Sequence, residues 1–324
     1  MRKGDSWPLK LLFMATIFFA TVAIILDIYG RLGISNTGNN KLLSVVKNNS
    51  KEVSEPVGSV EKKTKGIKKE SKKLKRWRED LEEEIRDFWG EDLSKIGLVY
   101  YDLERGQKIA INEEKVFTAA STSKVQLNMI AYDLARNGEL SLDEKILYSE
   151  GDFEEGAGRI LADYKKTKPI PMQVLLDYSI KYSDNIATNM IIRKLGGSTK
   201  LRNLANIMAG TNTDTQGNYI TAEQQFRLLK ILYDKREDQY YSHLIKVMKN
   251  TTCHDRLDKY LPRNIVAHKI GDYSTYVHDV GIIFTNKPYI LVVYTHDLPE
   301  LIYKEPHERI AQLSKLIYDA HLKK

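Results

Sequence analysis

A serine and a lysine three residues apart are the first pair in this chain whose types and spacing could do chemistry. Ser121 and Lys124 lie in the stretch 117–132, which has the composition of a helix entered through a turn of small residues. Residues three apart share one helix face, so the Lys124 amine is expected to reach the Ser121 hydroxyl. A serine needs an adjacent base to act as a nucleophile, and a desolvated lysine with a lowered pKa can be that base. The pair therefore predicts nucleophilic catalysis at Ser121.

This spacing is not specific by itself, because Ser-x-x-Lys also occurs at 44–47 and 59–62. Two further polar clusters follow Ser121 in the chain: residues 182–185 read Tyr-Ser-Asp-Asn, and residues 268–271 read His-Lys-Ile-Gly. Each cluster lies at a predicted element boundary, where side chains can converge on a cleft. Isolated copies of each motif are common in protein sequences. All three motifs in this order, with the last on a strand, are far less likely to occur by chance.

The ordered triple resembles that of the serine β-lactamase and penicillin-binding protein superfamily, most closely its class A β-lactamase type. The resemblance covers roughly residues 75–322 and includes the approach to the third motif at 255–262. It implies an α+β sandwich beside an all-α domain. It also implies a covalent acyl-enzyme mechanism and no cofactor.

The resemblance implies a role for each matching residue. Ser121 attacks a carbonyl and becomes an acyl-ester, and Lys124 takes or relays its proton. Ser183 bridges between Lys124 and the leaving nitrogen, and Asn185 hydrogen-bonds the substrate amide. Lys269 supplies positive charge for the substrate carboxylate and for proton relay.

The residues after Lys269 are implied to bind substrate. Ile270 and Gly271 continue the third motif, and the backbone N–H groups of Ser121 and Asp272 are expected to form an oxyanion hole. Simpler interpretations stay open at two motifs: residues 183–185 are also typical of a helix N-cap, and Lys269 could be a surface lysine on a strand edge.

The chain departs from the family pattern at two places. Class A β-lactamases carry a glutamate after the second motif that positions the deacylating water. Here no glutamate lies between Asn185 and Glu223, and Asp214 is the only acid in that interval. Losing such a general base slows hydrolysis by a factor of ~10²–10⁴. Ile270 also replaces the usual threonine or serine, whose hydroxyl contacts the substrate carboxylate.

These observations favour a serine acyl-transferase or hydrolase that acylates readily and deacylates slowly. Its substrates would be β-lactams or peptidoglycan-type D-Ala peptides. Two alternatives remain: a penicillin-binding sensor or cell-wall binding module with little turnover, and an esterase or amidase on another acyl substrate. Asp214 and the acids of the 153–155 loop are the candidates to replace the missing glutamate.

The positive net charge of +7 belongs to the N-terminal arm, because residues 1–73 carry +8 and the rest of the chain −1. A near-neutral folded region argues against nucleic-acid binding. The single cysteine, Cys253, excludes an intrachain disulfide and is expected to be a small buried hydrophobe. We assign four histidines to strands and loops rather than to a metal site: His254, His268, His278 and His296.

The N-terminal arm predicts a membrane anchor. Residues 1–8 are short and basic, as expected of a cytoplasmic tail, and residues 9–29 are apolar enough for one bilayer crossing. A cleaved signal peptide is the competing interpretation. Residues 30–73 have the composition of a disordered basic linker, leaving 74–324 as a folded, extracytoplasmic and monomeric catalytic domain.

Hydrophobic periodicity predicts the elements that must position the motifs. Helical spacing occurs at 74–88, 117–137, 184–195, 199–208, 221–234 and 306–322, whereas strand-like runs occupy 96–102, 108–111, 265–269, 280–284 and 289–294. The order of these elements predicts an antiparallel sheet with the terminal helices on one face. An all-α block is inserted between the two parts of the sheet.

Overall fold

The computed structural model describes residues 72–299 and 305–323. The predicted cytoplasmic tail, membrane anchor and linker up to residue 71 lie outside these ranges. Within them, no helix combines the length and apolar character that a bilayer crossing requires. The described part opens with a helix over Lys72–Trp89, which includes the last two residues of the predicted linker.

One five-stranded sheet organises the domain, and its strands follow the order β2-β1-β9-β8-β7 with every pair antiparallel. The strands are β1 Ile96–Asp102, β2 Lys108–Ile111, β7 Val266–Tyr273, β8 Tyr276–Ile283 and β9 Tyr289–Thr295. All seven residues of β9 are buried, because the central strand is covered on both faces of the sheet. This explains why its sequence is a continuous apolar run rather than an alternating one.

Helices cover the two faces of this sheet. Helices α1, Lys72–Trp89, and α9, Pro306–Leu322, share one hydrophobic core with side chains such as Leu98 and Leu291. Residues next to these in the strands, such as Val99, are buried on the opposite face, where α7, Ala222–Asp234, packs.

A mainly helical block lies in the chain between β2 and β7. Its helices are α2 Lys124–Arg136, α3 Ile160–Asp163, α4 Met172–Lys181, α5 Asn185–Leu195, α6 Ser198–Ala209 and α8 Gln239–Lys249. Helix α2 is central, contacting α4, α5, α6 and α8. Every residue from Lys124 to Leu134 is buried, as expected of a helix enclosed on all sides.

The predicted fold class is confirmed: an antiparallel sheet, terminal helices and an inserted helical block. Two small antiparallel ladders were not expected from the sequence. One joins β3, Val116–Thr118, to β6, Tyr219–Thr221, and the other joins β4, Lys145–Ile146, to β5, Ile170–Pro171. Strands of two or three residues are too short to show a periodic pattern.

Candidate active site

Ser121 lies in a tight turn rather than in the helix itself. A 3₁₀ turn, Ala120–Ser123, joins β3 to α2, and Ala120 has a left-handed φ of 48°. This conformation is costly for a residue with a side chain and needs support from its surroundings. Asn218 provides it, because its backbone oxygen accepts from Ala119 N–H at 2.7 Å and its Nδ2 donates to Ala120 O at 3.1 Å.

Strand β7 approaches this turn closely because it carries a glycine there. A Cβ added to Gly271 would lie 3.0 Å from both the Ala119 oxygen and Thr122 Cγ2. The Thr122 hydroxyl in turn hydrogen-bonds Ala119 O at 2.7 Å and the Tyr294 hydroxyl of β9 at 2.8 Å. The nucleophile turn is therefore held directly against the sheet, and the third motif reaches the first.

The Ser183 hydroxyl lies between two buried lysine amines. Lys269 Nζ donates to Ser183 Oγ at 2.9 Å, and Lys124 Nζ lies 3.4 Å from the same oxygen. Lys124 Nζ also donates to Ser183 O at 2.6 Å and to Asn185 Oδ1 at 2.7 Å. The three motifs thus meet as one hydrogen-bonded group.

The structure corrects one detail of the Ser121–Lys124 pair. Helix α2 begins only at Lys124, and the Lys124 amine makes its hydrogen bonds to the second motif. Among the described residues, no hydrogen bond joins that amine to the Ser121 hydroxyl. Both residues nevertheless line the same cavity.

The N-cap interpretation of the second motif also holds, at its middle residue. Buried Asp184 caps α5 by accepting from Ala187 N–H at 2.8 Å, and its other oxygen accepts from Arg159 N–H and Ile160 N–H at 2.6 and 2.7 Å. Ser183 has a left-handed φ of 54°. The cap fixes a sharp turn. The side chains on either side of Asp184, those of Ser183 and Asn185, hydrogen-bond the lysines of the site.

Burial changes the protonation of the two lysines. It lowers the pKa of Lys124 to about 7, and the neighbouring Lys269 cation lowers that pKa as well. It also lowers the pKa of Lys269, to about 8. The alternative that Lys269 is a surface lysine is wrong, since its side chain is 1% exposed. Near neutral pH the site holds a lysine that can act as a base beside one that is still cationic.

Asp272 sits at the mouth of the site and is fixed by an arginine that sequence reasoning did not assign. Arg256 Nη2 donates to both carboxylate oxygens of Asp272 at 2.7 Å, and Arg256 Nη1 donates to His278 O at 2.8 Å. Asp272 and Ile270 both line the cavity. The Ile270 side chain contributes an apolar surface where a hydroxyl would be expected.

The motifs open into one cavity of about 1000 Å³. Its lining includes residues of all three motifs together with the loop 213–219, and also Cys253, which is half-buried rather than buried as expected. The candidate acids Glu154, Glu155 and Asp214 all line the cavity and are exposed. Glu154 Oε2 accepts from Asn189 Nδ2 at 2.8 Å, whereas an Asp214 oxygen accepts from a backbone N–H of its own loop at 2.9 Å.

Three residues that sequence reasoning missed support this site: Asn218 beneath the nucleophile turn, Arg256 behind Asp272, and Asn189 beside Glu154. Asn189 lies one helical turn after Asn185 on the same face of α5, a spacing that could have indicated it. Asn218 and Arg256 act across long sequence separations and left no local signal.

Comparison with known proteins identifies the family of this chain. A family model described as the β-lactamase enzyme family matches residues 80–321. The extended-spectrum β-lactamase PER-1 of Pseudomonas aeruginosa is 24% identical over 272 residues, covering 75% of this chain and 88% of that protein. β-Lactamase 3 of Bacillus cereus is 26% identical over 253 residues, covering 70% and 77%.

Solved structures show the same fold. PBP-A superimposes with a TM-score of 0.67 at 24% identity, over 76% of this chain and 97% of that one. The TLA-1 extended-spectrum β-lactamase has a TM-score of 0.67 at 22% identity, over 76% and 99%. With its three motifs gathered around one cavity, the chain belongs to the β-lactamase enzyme family, within the superfamily of serine β-lactamases and penicillin-binding proteins.

Proposed function

We propose that this protein forms an acyl-enzyme at Ser121 with β-lactams or peptidoglycan-type D-Ala peptides and releases the acyl group slowly. The observation that carries the proposal is the buried group in which the Ser183 hydroxyl lies between the amines of Lys124 and Lys269. Such a group can move a proton from an attacking hydroxyl to a leaving nitrogen without help from bulk water.

The acylation step follows from these contacts. Lys124, as the free amine, accepts the proton of Ser121 Oγ while that oxygen bonds to the substrate carbonyl carbon. The carbonyl oxygen takes up the negative charge and is stabilised by the backbone N–H groups of Ser121 and Asp272. The C–N bond then breaks, and Ser183 Oγ donates its proton to the leaving nitrogen. Lys124, now protonated, returns a proton to Ser183, and an acyl-ester remains on Ser121.

Slow deacylation follows from the loop 211–218, which lines the cavity but carries no glutamate. Three candidate acids line the cavity and are exposed: Glu154, Glu155 and Asp214. Glu154 and Asp214 also accept hydrogen bonds from protein groups. An exposed carboxylate is a weak base, so a hydrolytic water is poorly activated. A point mutant of PBP-A, whose fold this chain shares, is described as an acyl-enzyme complex with penicillin G.

A binding or sensing module is the second candidate function. It is favoured by Ile270, which presents an apolar side chain to the cavity where a hydroxyl would hold the substrate carboxylate. Turnover would then be negligible, and the cavity would only retain its ligand. Repeated turnover of any chromogenic β-lactam or ester would exclude this candidate.

Intact-mass analysis after exposure to a fluorescent penicillin tests the proposal. The wild-type chain should gain one acyl adduct that persists over the time of several acylation events, and Ser121→Ala should gain none. Ser123→Ala is a matched control, because Ser123 lies in the same turn and lines the same cavity but donates its hydroxyl to Ala120 O. Absence of an adduct on the wild-type chain, or an adduct on Ser121→Ala, would contradict the proposal.

We also propose that the catalytic domain is extracytoplasmic and held to the cell membrane by residues 9–29. The support is the apolar character of that segment and the basic residues that precede it. Carbonate extraction of membranes, with protease added from outside intact spheroplasts, tests this. The proposal fails if the full chain is released by carbonate or resists the protease.

A further inference from the structure

Three metal-ligating side chains converge behind the third motif, outside the cavity lining. His254 and Asp258 lie in the segment between α8 and β7, and His268 lies on β7 itself. One ligand atom from each lies within 4.8 Å of the other two. His254 Nδ1 contacts Asp258 Oδ2, and His268 Nε2 lies 3.5 Å from that oxygen. An ion bound here would replace the direct His254–Asp258 contact, and these two side chains would move apart to admit it.

Two atoms of this cluster are buried without a hydrogen-bond partner among the described residues: His268 Nε2 and Asp258 Oδ1. His268 is 0% exposed and Asp258 is 1% exposed. Leaving buried polar atoms unpaired is costly, and native proteins rarely do so without a reason. Both atoms belong to side chains that surround the same point, which indicates a missing partner.

The opposite side of the His268 ring is held as metal-binding histidines usually are. Asp279 on β8 lies 2.8 Å from His268 Nδ1, and it also accepts from Leu257 N–H at 3.0 Å. A carboxylate at Nδ1 keeps one ring proton there and orients Nε2 toward Asp258. Although burial lowers the pKa of His268, Asp279 and Asp258 raise it to about 10, so a metal ion would have to displace a proton from Nε2. Asp258 and Asp279 both face His268 in this buried region, where their charge is compensated by the protonated ring or, in place of its Nε2 proton, by a bound cation.

We propose that His254, Asp258 and His268 bind one divalent transition-metal ion of the zinc type. Two imidazole nitrogens and one carboxylate suit Zn²⁺ or Co²⁺, whereas Mg²⁺ and Ca²⁺ require oxygen ligands. The His254 side chain is 26% exposed and provides the route by which the ion enters and a water completes the coordination.

The ion would tie the segment that carries Cys253 and Arg256 to strand β7. His268 immediately precedes Lys269, and neighbouring strand residues point to opposite faces. The metal would therefore lie behind the strand that presents Lys269 to the active site. Its role would be to hold this strand in place, without contacting the substrate.

Metal binding to the intact chain tests this inference. After treatment with a chelator and dialysis, the wild-type protein should take up about one equivalent of Zn²⁺ by calorimetry and by elemental analysis. It should give intense visible absorption bands with Co²⁺ and show no comparable binding of Mg²⁺. His254→Gln should bind Zn²⁺ at least ~10-fold more weakly and lose the Co²⁺ bands. Zn²⁺ should raise the Tm of the wild-type protein more than that of the variant.

His307→Gln is the matched control, because His307 is also partly exposed and also pairs with an acid, Glu305, but lies at the start of α9. It should bind Zn²⁺ like the wild-type chain. Because the His254 side chain is partly exposed, His254→Gln should leave the fold intact, and circular dichroism verifies this. Folded wild-type protein that takes up no Zn²⁺ or Co²⁺, or a His254→Gln variant that binds equally well, would overturn the inference. If the folded protein takes up no metal ion, a proton on His268, shared between Asp258 and Asp279, holds the cluster together.

Discussion

The rate of acylation should depend on pH through the two buried lysines. Lys124 acts as a base in its neutral form, so the rate should rise as pH passes its pKa of about 7. Lys269 is needed as a cation, so the rate should fall as pH passes its pKa of about 8. The expected profile is a narrow bell centred between these values. Because the two amines share Ser183, its limbs describe the pair rather than either residue alone.

The magnitude of the effect follows from the lowered pKa of Lys124. An ordinary lysine with a pKa of 10.5 is neutral in roughly one molecule in three thousand at pH 7, whereas a pKa of about 7 makes about half of the molecules competent. Burial of the amine is the largest cause of this change, and the Lys269 cation adds to it. Replacing that cation, as in Lys269→Met, should therefore raise the pKa of Lys124.

Stopped-flow measurement of acylation by a fluorescent penicillin between roughly pH 5.5 and 9.5 provides the assay. This range extends about one and a half pH units below the pKa of Lys124 and above that of Lys269. Lys269→Met should shift the acid limb to higher pH and also lower the maximum rate. Lys145→Met, at an exposed lysine of β4, is the control and should leave both limbs in place. A profile that is flat from neutral to alkaline pH, or an acid limb in Lys269→Met that stays or moves to lower pH, would refute the reasoning.

Three further predictions concern single substitutions. Ser183→Ala removes the hydroxyl between the two amines and should slow acylation by a factor of ~10²–10⁴. The noncovalent affinity for penicillin, measured before acylation, should stay unchanged. An unaltered acylation rate would contradict the proton relay. Gly271→Ala places a Cβ 3.0 Å from Ala119 O and Thr122 Cγ2. It should destabilise the fold by about 1–3 kcal/mol in urea unfolding and reduce acylation, and wild-type behaviour in both assays would show that the strand can shift freely. Ile270→Thr supplies a hydroxyl for the substrate carboxylate and should tighten binding ~10-fold for penicillin; an equal gain for an ester lacking a carboxylate would contradict this reason.

Patterns within single segments of the sequence are sufficient to predict many of the helices and strands of this protein. The apolar run at 289–294 and the helical spacing at 184–195 each predict an element that the structure contains, as β9 and α5. The ordered motifs at Ser121, Ser183 and Lys269 predict a single site. Ser121 and Ser183 line one cavity, and Lys269 hydrogen-bonds Ser183. Such features can be predicted because hydrophobic periodicity and the order of motifs are properties of the sequence itself.

The partners of the site residues depend on how distant segments pack. The sequence spacing assigns the Lys124 amine to Ser121, but the tertiary structure places it against Ser183 and Asn185, about sixty positions away. The support of the nucleophile turn by Asn218 likewise crosses roughly a hundred positions. A hydrogen bond is made or lost within a few tenths of an ångström, and a lysine's pKa depends on how completely it is desolvated. Both are set by the docking of helices on the sheet, which periodicity alone does not specify.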